Sequence, residues 1–171
     1  NNAIESFGRL DVLVNNAGTP GVREQIPPAE LDKITEELWE TILQPNLIGT
    51  FRASRAAASA LKATHGAIVL VASIAGVTGG GSSLAYAASK AGMINLTKNL
   101  ARGLGPEVRV NCVAPGAVDT SWQIKWTEAH KTAVTEGAVL KRWCTADDIA
   151  EAIVFLGCGA GMVTGQTLVV D

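Results

Sequence analysis

Four short, largely apolar runs constrain this 171-residue chain more than any other feature. They lie at residues 10–14 (LDVLV), 67–71 (AIVLV), 108–113 (VRVNCV) and 167–170 (TLVV), with helix-like sequence between them. A strand with one wet face alternates in polarity, whereas a strand covered on both faces reads as a continuous apolar run. Such runs separated by helices predict an α/β fold with a doubly wound parallel sheet. The length suits one domain spanning residues 1–171. Helices are expected over about 30–63, 84–104 and 146–156. Thr145 would cap the last of these, with Asp148 three residues on completing a capping-box pair. Residues 117–144 are the least regular part of the sequence.

In parallel sheets of this kind, ligands bind outside the carboxyl ends of the strands. Asn15, Asn16, Ala17 and Gly18 follow the first run, Ser73 follows the second, and Pro115 with Gly116 follows the third. The topology therefore gathers three separate loops on one edge of the sheet. Two other glycine-rich stretches, 76–81 (GVTGGG) and 157–161 (GCGAG), lack the strand–turn–helix setting of a phosphate-binding loop and read as a loop and a helix-to-strand turn.

Composition excludes several classes. Lys+Arg 14 against Asp+Glu 16 leaves no basic excess for a nucleic-acid backbone. No apolar run approaches the roughly 20 residues of a membrane span. The first residues carry no basic and apolar segments of a signal peptide, so a cytoplasmic setting is expected. Cys112, Cys144 and Cys158 show neither disulfide-framework nor metal-ligand spacing, so no metal is expected. Glycine, at 18 of 171 residues, exceeds its average of roughly 7 % and calls for close backbone approach to a ligand or between packed elements.

Tyr86 and Lys90 are four residues apart in a helical stretch and share a face. An ammonium beside a phenol favours the phenolate and lowers the phenol's pKa from about 10, which suits proton exchange near neutrality. Ser73 could hydrogen-bond the same substrate oxygen, and Asn46 can both donate and accept, as a proton relay requires. Taken alone, a Tyr-x-x-x-Lys pair is more simply a surface pair and Ser73 a turn residue.

The order of the motifs adds to this. Asn15-Asn16-Ala17-Gly18 after a strand, Asn46, Ser73, Tyr86-Ala87-Ala88-Ser89-Lys90, then Pro115-Gly116 with Thr120, and a closing TGQTLVVD at 164–171, together resemble the short-chain dehydrogenase/reductase family. The likeness runs along essentially the whole chain and is greatest to classical, 3-oxoacyl-reductase-like members. It implies a Rossmann-like fold and hydride transfer between the nicotinamide of NAD or NADP and a small-molecule carbonyl or secondary alcohol. By the same resemblance Tyr86 is the acid/base, and Lys90 lowers its pKa and holds the nicotinamide ribose. Ser73 orients and polarises the carbonyl, while Asn46 anchors a water of the proton relay. Asn15, Ala17 and Gly18 would line the ribose and adenine side of the cofactor, and Pro115, Gly116, Val118 and Thr120 would flank the nicotinamide. Glycines at 18 and 116 would let the backbone touch a flat cofactor. The alanine-rich 84–104 helix and the Asn46 helix imply a homo-oligomer, dimer or tetramer.

Departures from the family pattern shape the remaining expectations. Members begin with a strand, a glycine-rich T-G-x-x-x-G-x-G turn and two further βα units, whereas nine residues precede the first strand here. Only the C-terminal part of the usual sheet is then expected, with weak or absent dinucleotide binding. The alternative function is a non-catalytic truncated member that folds and oligomerises without dinucleotide. The 10–14 strand would be an open apolar edge, covered by another chain, a swapped segment or a further part of the protein. Pro45 is either accommodated at a helical distortion or displaces Asn46. Trp122, Trp126 and Trp143 fall in 117–144, the family's lid region, and either line a substrate pocket or staple that segment to the body. His65 and His130 read as solvated, Lys125 and Lys131 as surface charges, and Cys112 as a core residue.

Overall fold

The computed structural model of the chain describes residues 2–123 and 126–171. Strands β1 (Val12–Asn15), β2 (Ala67–Val71), β3 (Arg109–Pro115) and β4 (Thr167–Val170) form one sheet in the order β1-β2-β3-β4, with every pair parallel. The β2 and β4 bounds are those read from sequence. β1 begins two residues later than expected, because the ladder to β2 opens at Val12 opposite Ala67 and runs to Asn15 opposite Leu70. β3 extends to Pro115, since Ala114 and Pro115 still pair with Val169 and Val170. A short helix that the sequence reading did not anticipate, α1 (Asn2–Phe7), precedes the sheet.

The expected single helix over 30–63 is broken. A 3-10 turn at Leu31–Lys33 precedes α2 (Glu36–Leu43), whose first turn is capped by the Thr35 hydroxyl. A wide π-helical turn, Gln44–Gly49, then leads into α3 (Thr50–Thr64). Pro45 is the physical reason. It has no N–H to give the ladder, and its ring crowds the preceding turn, which a wider turn relieves. The Thr50 hydroxyl donates to the Asn46 carbonyl at 2.7 Å, and Ser54 repeats the pattern on Thr50 at 2.8 Å.

α4 (Ala75–Thr78) follows β2, and α5 (Leu84–Leu104) is one unbroken helix with the expected bounds. The segment 117–144 is more regular than expected, holding a 3-10 turn at Ser121–Gln123 and α6 (Glu128–Gly137). α7 (Ala146–Cys158) starts with the anticipated capping box between Thr145 and Asp148.

Helices cover both faces. On one, Ala57 and Leu61 of α3 and Met93 and Ala101 of α5 pack on Ile68, Leu70, Val110 and Cys112. On the other, Ile149 and Leu156 of α7 pack on Val69 and Val113. Burial of these side chains at about 1.5–3 kcal/mol each is the main stabilising term of the sheet. The odd-numbered and even-numbered residues of β2 thus serve opposite cores, as a strand buried on both faces requires. β1 pairs only with β2, and Val14 is 41 % exposed, so no described segment of this chain covers its outer edge.

Candidate active site

The carboxyl ends of β1, β2 and β3 do converge. Beyond Val71 the β2 backbone keeps pairing, with the Ala72 N–H donating to Val113 O and the Ile74 N–H to Pro115 O, both at 2.8 Å. Ser73 is held between these bonds at the mouth of the sheet. Its Oγ accepts from the Ala75 N–H at 3.2 Å, which starts α4 and leaves the hydroxyl hydrogen free to donate. α4 then lies directly on α5. A Cβ on Gly76 would sit 2.6 Å from the Lys90 carbonyl carbon and 2.7 Å from the Ala91 nitrogen.

Three glycines at positive φ, Gly79 (78°), Gly80 (99°) and Gly81 (81°), turn the chain back toward α5. The helix begins at Ser83, whose hydroxyl accepts from the Tyr86 N–H at 3.2 Å and fixes the turn that carries the phenol. Ser83 stands three residues before Tyr86, the spacing of an N-cap, so the signal was present in the sequence and went unused.

Ser73 lies near enough to the Tyr86 hydroxyl to pull its pKa down, against the effect of burial. Lys90 is 4 % exposed, and its Nζ donates to Val71 O at 3.0 Å and to Met93 Sδ at 3.7 Å. It lies 5.7 Å from the centroid of the Tyr86 ring. The electrostatics correct the sequence expectation. Burial raises the Tyr86 pKa above its ordinary value, Ser73 opposing it in part, and Lys90 is not among the causes. Burial also lowers the Lys90 pKa to about 8. The ammonium points at the strand carbonyl, so desolvation outweighs any pull on the phenol.

Asn46 is fully buried and ties the loop after β1 to α5. Its Oδ1 accepts from the Thr19 N–H at 2.8 Å, while Nδ2 donates to Thr19 O and to Ser89 Oγ, each at 3.0 Å. Both amide hydrogens are thus engaged by the protein, leaving only an oxygen lone pair for a water. Pro45 has not displaced the side chain; the wide turn delivers it into the loop after β1. Ser89 completes the link, its hydroxyl donating to Tyr86 O at 2.7 Å. Ser89 and Thr19 were missed because the sequence offers no spacing signal for contacts across 43 and 27 positions.

The remaining residues divide by surroundings. The Asn15 amide is buried and donates to Ser54 Oγ at 3.1 Å. Ala17 is exposed at the end of β1, and Thr120 is exposed beyond β3. Val118 packs into the α7 core beside Cys144. Pro115 is buried in the last rung of β3. The glycines answer to neighbours within the chain: a Cβ on Gly18 would lie 3.0 Å from Asn46 Oδ1 and 3.5 Å from Lys90 Nζ, and one on Gly116 would lie 2.5 Å from the Asp171 Cβ. A flat ligand is therefore not needed to explain Gly116. Gly157 lies inside α7 against Val12 and Val69 of the sheet, a packing glycine.

The three tryptophans of 117–144 separate. Trp126 stacks edge-on with Trp143 (5.3 Å) and His130 (4.4 Å), and Trp143 Nε1 donates to Thr135 Oγ1 at 2.8 Å. Trp122 alone approaches the site, 6.4 Å from the Tyr86 ring. His65 is exposed at the end of α3, Lys131 pairs with Glu128, Cys112 is in the core, and Lys125 lies outside the described residues. Among the described residues, no cluster of His, Cys, Asp or Glu could hold a metal ion, and no helix is long and apolar enough to cross a membrane.

The residues at this edge fit the nicotinamide-ribose end of a dinucleotide. Lys90 has three N–H donors, of which Val71 O takes one and Met93 Sδ weakly a second, and Gly18 keeps the space above it clear of a side chain. The Tyr86 ring lies beside it, 5.7 Å from the ammonium. No phosphate cradle occurs among the described residues.

A family model described as "Enoyl-(Acyl carrier protein) reductase" matches residues 1–171. The chain is 43 % identical over 172 residues to the "Granaticin polyketide synthase putative ketoacyl reductase 2" of Streptomyces violaceoruber, covering 99 % of this chain and 68 % of that protein. It is 36 % identical over 168 residues to the 3-oxoacyl-[acyl-carrier-protein] reductase FabG of Escherichia coli K12, covering 96 % and 66 %. A solved short-chain dehydrogenase/reductase of the glucose/ribitol dehydrogenase type from Brucella melitensis superposes with a TM-score of 0.88 at 32 % identity, over 98 % of this chain and 66 % of that one. The chain thus spans about two thirds of the length of these relatives.

Proposed function

The chain belongs to the short-chain dehydrogenase/reductase family, and on that footing we propose that it is a nicotinamide-dependent oxidoreductase acting between a carbonyl and a secondary alcohol. Tyr86 is its acid, Ser73 its carbonyl-polarising donor and Lys90 its buried cation. The observation that carries the reading is the meeting of these three side chains at one strand edge, with Ser73 near enough to act on the Tyr86 phenol and Lys90 anchored at 3.0 Å on the same strand end.

When bound, NADH or NADPH supplies the hydride that reaches the carbonyl carbon. Tyr86 gives its hydroxyl proton to the carbonyl oxygen as that oxygen gains charge. Its raised pKa suits this direction, because the group must carry its proton beforehand. Ser73 donates its free hydroxyl hydrogen to the same oxygen and holds the carbonyl in line. Lys90, an ammonium below pH 8, keeps an N–H free for the cofactor side of the site while Val71 O holds it in place. Asn46 and Ser83 hold the two sides of the site in register and touch neither reactant. The proposal extends to a cytoplasmic homo-oligomer, with Phe51 on the exposed side of α3 and the alanine-rich side of α5 available for self-association.

Fluorescence titration of the protein with NADH and NADPH tests the cofactor assignment. Saturation in the micromolar range with one or both supports the oxidoreductase. Absence of binding up to millimolar dinucleotide supports a folded, non-catalytic member instead.

A further inference from the structure

Resting on the oxidoreductase reading, we propose that Trp122 is the specificity-determining wall of this site, selecting substrates whose carbonyl is carried on a flat or alicyclic apolar body. Trp122 follows Thr120 by two residues, on the 3-10 turn Ser121–Gln123. Its ring centroid lies 6.4 Å from that of Tyr86 with the planes 50° apart. That spacing is within the range of aromatic contact, and the tilt leaves a wedge that opens outward. The indole is 49 % exposed, so much of a large apolar face stands uncovered beside the group that touches the reacting oxygen.

The loop that leads into the Tyr86 helix is made of glycines at 79–81. Gly79 and Gly80 have nothing within 4 Å of an added Cβ, and Gly81 supports the Tyr86 ring, where an added Cβ would lie 2.9 Å from Cδ1. Val77, half-exposed on α4, adds a further apolar surface before these glycines. Beside the Tyr86 ring the half-exposed Trp122 thus offers one strong apolar face to a substrate body.

The other aromatic residues of the segment do not share this role, because Trp126, Trp143 and His130 pack on one another. Nor do its described cations. Lys131 donates to Glu128, Lys141 to Glu136 O, and Arg142 to Asp148. Lys90 is buried beneath the phenol. Among the described residues of this segment, a substrate body beside Tyr86 meets an indole face and not a counter-charge. Apolar area is rewarded there and a carboxylate next to the carbonyl is not.

The test compares 2-tetralone, a fused-ring ketone, with butanone, which has the same reacting group and no ring. The intact protein is assayed with NADH and NADPH, as wild type, Trp122→Ala and Trp122→Phe. The ratio of kcat/KM for 2-tetralone over butanone is expected to fall roughly ten- to a hundredfold in Trp122→Ala. The loss should lie in KM for 2-tetralone, and Trp122→Phe should restore most of the ratio. An unchanged ratio in Trp122→Ala overturns the proposal, as does a loss that Phe does not relieve. Thermal shift with 2-tetralone alone separates this from the reading it rests on. If neither ketone turns over, the oxidoreductase reading fails. The wall then stands if 2-tetralone stabilises wild type and Trp122→Phe but not Trp122→Ala, and falls if it stabilises all three or none.

Discussion

The Lys90 ammonium donates to the Val71 carbonyl at 3.0 Å, tying the helix that carries Tyr86 to the strand end that presents Ser73. One bond thus spans the two elements on which the site is built. It also holds a cation where water is scarce, which has a measurable cost.

That cost appears as a pH dependence of stability. Burial lowers the Lys90 pKa from 10.5 to about 8. Below pH 8 both folded and unfolded chains carry the charge, and the folded state bears the full penalty, about 3 kcal/mol. Between pH 8 and 10.5 the unfolded chain binds the extra proton, so stability rises with pH. Cys112 and Tyr86, both raised by burial, act in the opposite sense at higher pH. Urea denaturation of wild type and Lys90→Met between pH 7 and 9 isolates the effect. Wild type should gain about 1 kcal/mol relative to the variant over that range.

Gly76 sets the distance between Ser73 and Tyr86. With a Cβ that would lie 2.6–2.8 Å from the α5 backbone, Gly76→Ala must push α4 away from α5. We expect a loss of about 1–3 kcal/mol on thermal unfolding, with a fall in kcat larger than any rise in KM. An alanine variant with native stability and native kcat would show that α4 does not position Ser73.

Asn46 serves the site through structure. Asn46→Ala would strand the Thr19 N–H and carbonyl and the Ser89 hydroxyl in a partly buried place. The expected loss is about 2–4 kcal/mol in urea denaturation. Asn46→Asp, which keeps the acceptor and loses both donors, should lie between wild type and Ala at neutral pH.

How far the site was legible follows from these contacts. β2 and β4 were readable because compact runs of branched apolar residues, 68–71 after Gly66 and 168–170 after Gln166, stand out from their surroundings. Tyr86 and Lys90 were readable because i,i+4 spacing survives into the fold. The direction of the Tyr86 pKa was not, since Lys90 has two places to point and only the fold shows that it chooses the strand carbonyl. The break at 44–49 was half visible: Pro45 announces a distortion, but the widening that turns Asn46 onto Thr19 depends on the loop after β1. Gly116 has a neighbour that no spacing in the sequence announces, Asp171, 55 positions away.

The junction between the 117–144 segment and the body depends on Asp148. Arg142 donates to both its oxygens at 2.6 and 2.9 Å, and Thr145 donates through backbone and side chain. These bonds, Arg142 first, hold its carboxyl well below the usual range. The group's contribution is therefore present above the unfolded value near pH 4 and is lost as pH falls below it. The stability difference between wild type and Asp148→Asn should be constant from pH 5 to 7 and shrink below pH 4. Loss of the cap alone, in Thr145→Ala, should cost about 1 kcal/mol.

The central claim is that Tyr86 delivers the proton at this site. It is tested most directly by single-turnover oxidation of NADH or NADPH with a ketone in wild type and Tyr86→Phe, alongside dinucleotide binding by fluorescence. The account predicts turnover in wild type and a loss of about a hundredfold or more in the variant, with binding preserved within a few-fold. Turnover that persists in Tyr86→Phe, or wild-type protein that binds the dinucleotide and never oxidises it, would contradict the account.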